Sequence, residues 1–384
     1  MLEEHRHYLT DKTRVAAYRR AIQEVVKPGA VVLDLGAGTG ILGLLCCQAG
    51  AHRVYCIDRS GMIEIARAIA PANNASEKLV FINDLSLNAA LPERVDLVVA
   101  DQIGGFGFEA GLLEYFSDAR SRFLKPEGVM MPSRVDLWIA PVECSEMWSK
   151  VDFWNRSPAG CDFSAAFTWA ANTAYPVKLR PEYLLGDPAR AVSLVLTTTP
   201  MHMVNVEAAI VVHRPGQLHG IGGWFNAALS PSVMMSNSPL ISTPIDRMNV
   251  FYPVQEPLYL REGDRITIQM KILPASGIVS WSVSQVPHAQ ETGGDEVSVN
   301  PPPISQSTWK GLLVSREQLS RSSTTARPAL SPHGKARLLV LHLSDGQKTL
   351  AEIEDEVYLR HGGLFRTRDE LSRFVTSIIN DNAL

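Results

Sequence analysis

The 384-residue chain is expected to form an α/β domain on a parallel sheet, then an antiparallel β-barrel domain, then a small C-terminal helical module. Three observations predict this. Strand-like and helix-like runs alternate from about residue 30 to 132. β-Branched and aromatic runs broken by Pro, Gly, Asn and Asp follow from about residue 135. The last 54 residues regain helical spacing behind Ser and Thr caps. The 46% hydrophobic and 20% charged content is that of a soluble globular protein. With 36 Lys and Arg against 40 Asp and Glu, no broad basic surface is available, so a nucleic-acid partner is not expected.

In order along the chain, residues 11–27 read as a helix. Thr10 or Asp11 caps it, Val15, Tyr18, Ile22 and Val25 share one face, and Pro28-Gly29 ends it. VVLDL is a strand, GAGTG a turn and ILGLLCCQAG an apolar helix stopped by Gly50. VYCID and SGMIEIARAIA repeat the strand–helix unit. LVFIN, VDLVVA and, after a helix ending near LKPEG, VMMPSR complete the parallel set. VSLVLTTTP, VEAAIVVHRP, HGIGGWFNAAL, NVFYPV, DRITIQMKI and IVSWSVSQV supply the antiparallel strands. Residues 145–190, rich in aromatics and alanine, read as an insertion or arm. Residues 287–330 read as a linker, partly ordered around Trp309. Ser331-Pro332 starts one terminal helix, and Thr349 with Glu352 and Thr367 with Glu370 form capping boxes for two more. The expected divisions are therefore 1–29, 30–134, 135–286, 287–330 and 331–384.

Five cysteines in this length make no disulfide framework, and no Cys/His spacing suggests a metal site. The polar N-terminus, MLEEHRHYLTDKTR, carries no secretory signal, and the least charged stretch, Leu35 to His52, is too short and glycine-broken for a membrane span. A cytoplasmic protein is expected.

The most informative motif is Asp34-Leu35-Gly36-Ala37-Gly38-Thr39-Gly40. Glycines at alternate positions let the backbone turn sharply and approach a ligand, and the helix that follows offers free N–H groups. The spacing G-x-G-x-G differs from the G-x-G-x-x-G of nicotinamide binders. Asp34, just before the turn, suits an ammonium group better than a pyrophosphate. Asp58 ends the second strand, 18 residues beyond Gly40, where a carboxylate can take both hydroxyls of a ribose. A Rossmann-like domain holding an adenosine joined to an amino acid, S-adenosylmethionine, fits this set. Asp84, at the end of LVFIN, lies at the height of the adenine, with Ser86 as a competitor.

Residues 5–282 resemble the protein arginine methyltransferases, in which a class I methyltransferase domain precedes a β-barrel. Three stretches carry the resemblance beyond the glycine turn. His5, Leu9, Asp11, Arg14 and Tyr18 match the family's N-terminal pattern, VDLVVADQIGGFGFEAGLLEYFSDARSRFLKPEGVMMPSR follows it from the fourth strand, and GIGGWFNAAL with NVFYPVQEPLYLREGDRITIQMKI resembles its barrel strands. The resemblance implies that Arg14 pairs with the cofactor carboxylate, that Tyr18 covers the cofactor or packs its helix, that Gly36, Gly38 and Gly40 approach the methionine portion, and that Asp58 holds the ribose. It also implies a homodimer through an arm at about 150–185.

The acceptor side departs from the family. Where the family has two glutamates nine positions apart, this chain has Asp101 and Glu109, eight apart. Its Thr-His-Trp loop is replaced by Thr243-Pro244-Ile245-Asp246-Arg247-Met248. Two carboxylates can grip a guanidinium, fix the attacking nitrogen and take its proton after transfer. Asp101 and Glu109 are the catalytic candidates, and they could equally hold an amine or amidine or stay solvated. The expected acceptor is a protein, peptide or small molecule bearing a guanidino or amine nitrogen. The alternatives are a natural-product methyltransferase and a non-catalytic, methyltransferase-like binding subunit.

Overall fold

The structure, a computed structural model, describes residues 2–198, 203–286 and 305–382. The chain divides into two compact units, residues 1–312 and 313–384.

The first unit opens with α1 (Leu2–Thr10) and α2 (Lys12–Val25). Asp11 caps α2 by accepting from the backbone N of Arg14 at 3.0 Å. The helix buries Arg14, Ala17, Tyr18, Ala21 and Ile22, a stripe at helical spacing. It stops two residues short of the expected end because Val26 is already extended, ahead of Pro28. α1 buries none of its own residues, so no apolar stripe marks it in the sequence.

The parallel sheet follows: β1 (Val31–Leu35), α3 (Ile41–Gln48), β2 (Arg53–Ile57), α4 (Met62–Ile69), β3 (Leu79–Ile82), β4 (Val95–Ala100), α5 (Leu112–Arg122) and β5 (Leu124–Met131). Its order is β3-β2-β1-β4-β5. The wholly buried β1 and the mostly buried β2 and β4 lie inside the sheet, which is why they read as short apolar runs. The order reverses between β1 and β4, so the loops leaving those two strands diverge and open a crevice at their C-terminal ends. The Lys-Pro-x-Gly segment differs from expectation: it lies within β5, where Leu124 pairs with Val95 across a shift of register.

The antiparallel part comprises β6 (Arg134–Val142), α6 (Ser145–Asp152), α7 (Phe167–Ala171), β7 (Tyr175–Val177), β8 (Ala189–Val195), β9 (Val204–Val211), β10 (Gly216–Ala228), β11 (Met234–Ser236), β12 (Asn249–Leu260), β13 (Arg265–Leu273), β14 (Ile278–Val286) and β15 (Gln306–Ser307). One sheet runs β7-β12-β10-β6-β8, with β11 on β10, and the other β15-β14-β13-β9. Along β9 and β13 buried residues largely alternate with more open ones, as in sheets with one wet face. The insertion between β6 and β8 holds α6, α7 and β7; Val151, Ala170 and Ala171 form a small core there, lined by Trp148, Trp154, Phe167 and Tyr175.

β15 was not foreseen. Gln306 donates to the carbonyl of Ala171, Ser307 N donates to Asn172 Oδ1 at 2.8 Å, and residues 305–312 thereby belong to the first unit. The Gly-Gly and Pro-Pro-Pro runs of the expected linker fall at 287–304, outside the described residues.

The second unit contains α8 (Arg316–Arg321), α9 (Pro332–Leu343), α10 (Leu350–His361) and α11 (Arg368–Asn382). Val340, Ile353, Val357, Leu371, Val375 and Ile378 form its core. Thr349 and Glu352 make the reciprocal cap expected for α10. α8, within the expected linker, has a capping box of its own from Ser315 and Gln318. The architecture is the expected one: parallel α/β sheet, antiparallel sheets, C-terminal helices. Among the described residues, no helix is long and apolar enough to cross a membrane.

Candidate active site

The turn after β1 places Gly36, Gly38 and Gly40 at φ of 66°, 53° and 77°, a region that side-chain-bearing residues enter at a cost. Gly36 N and Ala37 N donate to Ile57 O, and Gly38 N donates to Asp58 Oδ2 at 2.8 Å. The other oxygen of Asp58 accepts from Ser60 N at 2.8 Å and Ser60 Oγ at 2.6 Å. The carboxylate closing β2 is thus locked to the glycine turn. Beside it opens a cleft of about 180 Å³ lined by Gly36, Asp58, Ser60, Asp84, Ser86, Gln102 and Tyr115, among others. Asp84 sits on its rim, accepting from Leu85 N at 2.7 Å. Gln102, whose buried Oε1 has no hydrogen-bond partner, lies over Gly36, where an added Cβ would come within 2.5 Å of its Nε2. His5 of α1 lies similarly close over Gly38. A carboxylate, small polar side chains, an unpaired amide oxygen and a backbone stripped of Cβ atoms suit a nucleoside with a polar tail.

Asp34 lies elsewhere than in the cleft. It is wholly buried beneath the turn, and its Oδ2 accepts from Gly43 N of α3 at 2.8 Å while Oδ1 has no partner. Burial pushes its carboxyl up to about 7, against the pull of the Gly43 N–H; neighbouring Asp58 adds to the rise.

Across the crevice, β4 ends at Asp101. The side chain of Arg14 comes from α2, Nε donating to Asp101 Oδ2 at 2.5 Å and Nη1 to Tyr8 O at 3.2 Å. Tyr18, fully buried one turn further along α2, turns its hydroxyl toward Ala100 O at 2.9 Å and Asp101 Oδ1 at 3.1 Å. Arg247, unforeseen as a site residue, donates from Nη2 to Asp101 Oδ2 at 2.8 Å. Burial alone would raise the Asp101 carboxyl, but Arg247 and Arg14 outweigh it and hold the group below its ordinary value. Burial raises the Tyr18 phenol well above its ordinary value, and the Asp101 charge adds to that.

Glu109 does not converge on this cluster. Its carboxylate accepts from Phe106 N, Gly107 N and Phe108 N at 2.8, 2.9 and 3.1 Å. It lines a separate depression with Glu114 and residues 274–277. Enclosure by the loop pushes its carboxyl upward against those three donors, although the residue as a whole remains exposed.

The barrel fixes the loop between the two acids. Phe106, fully buried, sits over Gly223 of β10 and against Tyr252 of β12, with ring centroids 5.8 Å apart. Asn237 Nδ2 donates to Gly105 O at 2.8 Å and to Met248 O at 3.1 Å, tying the loop to the 243–248 segment. That segment is also tied to the N-terminal helices, since Asp246 N donates to Asp11 Oδ2 at 2.7 Å and His7 Nε2 donates to Asp246 O at 2.9 Å. The structure therefore gathers Arg14, Tyr18 and Asp101 with Arg247, and Asp58 with the glycine turn and the Asp84 rim. The sequence signal for Arg247 was the exchange of a His-Trp loop for one carrying a cation.

Residues 133–280 match the family described as the arginine methyltransferase oligomerization subdomain, and residues 15–135 match ribosomal protein L11 methyltransferase. Protein arginine N-methyltransferase 6 of Xenopus laevis is 31% identical over 285 residues, covering 71% of this chain and 84% of the relative. The chain belongs to the protein arginine methyltransferase family. It is an S-adenosylmethionine-dependent methyltransferase by that membership. Another relative in the family, histone-arginine methyltransferase CARMER of Drosophila grimshawi, is 27% identical over 308 residues, covering 76% of this chain and 56% of the relative. Two solved structures share the arginine methyltransferase fold. The Trypanosoma brucei PRMT1 enzyme–prozyme heterotetrameric complex with AdoHcy aligns with a TM-score of 0.69 at 21% identity, covering 79% of this chain and 96% of that one. Arabidopsis thaliana protein arginine methyltransferase 10 aligns with a TM-score of 0.66 at 22% identity, covering 80% and 97%.

Proposed function

We propose that this chain transfers a methyl group to a guanidino nitrogen of arginine in a protein or peptide. The observation that supports this best is the placement of the glycine turn with Asp58 and of Arg14 with Asp101 on the two sides of one crevice, where β1 and β4 part. S-adenosylmethionine supplies, when bound, a methyl group made electrophilic by its sulfonium centre. Asp58 takes the ribose hydroxyls, Asp84 and Ser86 face the base, and Gly36, Gly38 and Gly40 let the backbone approach the amino-acid portion. The Arg14 fork matches that portion's carboxylate. Asp34 acts from below, holding the start of α3 through Gly43.

Asp101 holds the acceptor, fixing the attacking nitrogen, keeping positive charge on the nitrogens it binds and receiving the proton after transfer. Glu109 joins it only by giving up its three backbone donors. Purified protein with labelled cofactor should label arginine peptides; cofactor binding without transfer to arginine peptides, free arginine or amines would contradict this reading.

We also assign the segment at 150–185 to a homodimer contact, on the support of Phe153, Phe163 and Trp169, each more than 40% exposed. Sedimentation at low concentration should report a dimer, and a monomer would remove the assignment. The five unpaired cysteines suit work in the reducing cytoplasm. Within this scheme residues 1–29 cover the cofactor, 30–134 bind it, 135–286 complete the acceptor site, and 331–384 form a helical module; of the expected linker 287–330, residues 305–312 belong with the first unit.

A further inference from the structure

Two guanidinium groups already share one oxygen of the acceptor-side carboxylate: Arg14 Nε at 2.5 Å and Arg247 Nη2 at 2.8 Å, both on Asp101 Oδ2. The other oxygen faces Tyr18. Glu109 is engaged with its own loop. The Arg247 side chain is only 13% exposed and lies between the rings of Tyr8 and Phe225, its guanidinium carbon 5.9 Å from each centroid. Its Nη1 is buried with no hydrogen-bond partner. A buried, unpaired cationic N–H group is costly, and such a donor on the side chain that holds the acceptor-side carboxylate is one that a ligand's anion can satisfy.

Asp101, Arg14 and Arg247 together carry a net positive charge, so an incoming guanidinium meets like charge and an occupied carboxylate. Arg14 is also held by Tyr8 O and faced by the Tyr8 and Tyr18 rings. Among the described residues Asp101 is the one side-chain hydrogen-bond partner of Arg247, so Arg247 is the group to be exchanged.

We propose that Arg247 determines the acceptor: it occupies the guanidinium seat on Asp101 and yields it to an arginine that brings its own acidic neighbour. The neighbour's carboxylate takes the Arg247 fork, including the unpaired Nη1, while the acceptor guanidinium takes Asp101. Before the exchange two guanidinium groups share one carboxylate; after it Arg247 has a carboxylate of its own. The preferred substrate class is an acidic, arginine-containing segment of a peptide or protein, and a neutral or basic flank leaves Arg247 buried without an anion. This rests on the arginine-acceptor reading above and names the substrates of that same site.

The test is calorimetry on the full chain saturated with S-adenosylhomocysteine, using two peptides that differ only in whether their single arginine is flanked on both sides by glutamate or by glutamine. The glutamate peptide should bind about tenfold or more tightly, the ratio expected for one charge-assisted pair. Arg247→Gln should reduce the ratio to about threefold or less and strengthen binding of the glutamine peptide. Arg247→Lys, which keeps the charge without the fork, should retain part of the preference. Equal binding of both peptides by the unaltered protein, binding of neither, or a full preference surviving in Arg247→Gln overturns the proposal. If the peptides bind as expected and no methyl is transferred from S-adenosylmethionine, the seat stands and the transfer reading falls.

Discussion

The two sides of the crevice are built differently. The cofactor side is local: the glycine turn, Asp58 and Ser60 lie within 25 residues, and their hydrogen bonds close a small, nearly self-sufficient unit. The acceptor side is assembled at long range, since Asp101 meets Arg14 across 87 positions and Arg247 across 146. The first side needs only β1, its turn, α3 and β2 to form. The second needs the parallel sheet, the N-terminal helices and the barrel to form together. Changes on the acceptor side should therefore unsettle the fold, and changes on the cofactor side should mainly unsettle binding.

The largest effect should come from Asp101→Ala, which leaves Arg14 and Arg247 buried without their anion; removing one partner of such a cluster costs about 3–5 kcal/mol. Urea unfolding at neutral pH measures it, and a loss below about 1 kcal/mol would show the cluster to be open to water. Because the Asp101 carboxyl is held below its ordinary value, its contribution is present at neutral pH and fades as acid protonates the folded form. Asp101→Asn should accordingly flatten the acid limb of the stability curve.

Asp34 should behave in the opposite sense. Its folded value near 7 lies above the unfolded one, so stability falls as pH rises from about 4 to about 7 and then levels. Asp34→Asn keeps an acceptor for Gly43 N and removes that slope. Relative to the unaltered protein it should gain a few kcal/mol between pH 5 and pH 8. Parallel slopes for the two proteins would contradict the assignment.

On the cofactor side, Asp58→Ala should weaken S-adenosylhomocysteine about 100-fold by calorimetry, through loss of charged hydrogen bonds and release of Gly38 N. It should lower stability less than Asp101→Ala does, and the reverse order would erase the contrast between the two sides. Smaller still, Gly38→Ala should cost about 1–3 kcal/mol in thermal unfolding, from its positive φ and the close approach of His5.

What could be read from the sequence follows the same division. The glycine turn, the carboxylate following β2, the Ser331 cap of α9 and the capping box of α10 are signalled by neighbours a few residues away, so local rules find them. The partners of Asp101 are set by packing. Arg14 reads as a cofactor ligand, and its bond to Asp101 is apparent only once the fold brings β4 beside α2. Arg247 carries no local mark beyond standing in the loop where the chain departs from the Thr-His-Trp pattern of the family it resembles. Glu109 looks like the second member of an acidic pair by spacing, but three backbone N–H groups of its own tight loop claim it first. β15 escapes notice because two residues make too short a run for periodicity, and its anchoring by Asn172 spans 135 positions.

What the glycine turn holds is tested most directly by a crystal structure of the protein grown with S-adenosylhomocysteine. The ribose hydroxyls should lie within about 3 Å of the Asp58 carboxylate, with Arg247 still on Asp101 while no acceptor is present. A nucleotide seated with its ribose away from Asp58, or none bound at saturating concentration, would contradict this placement.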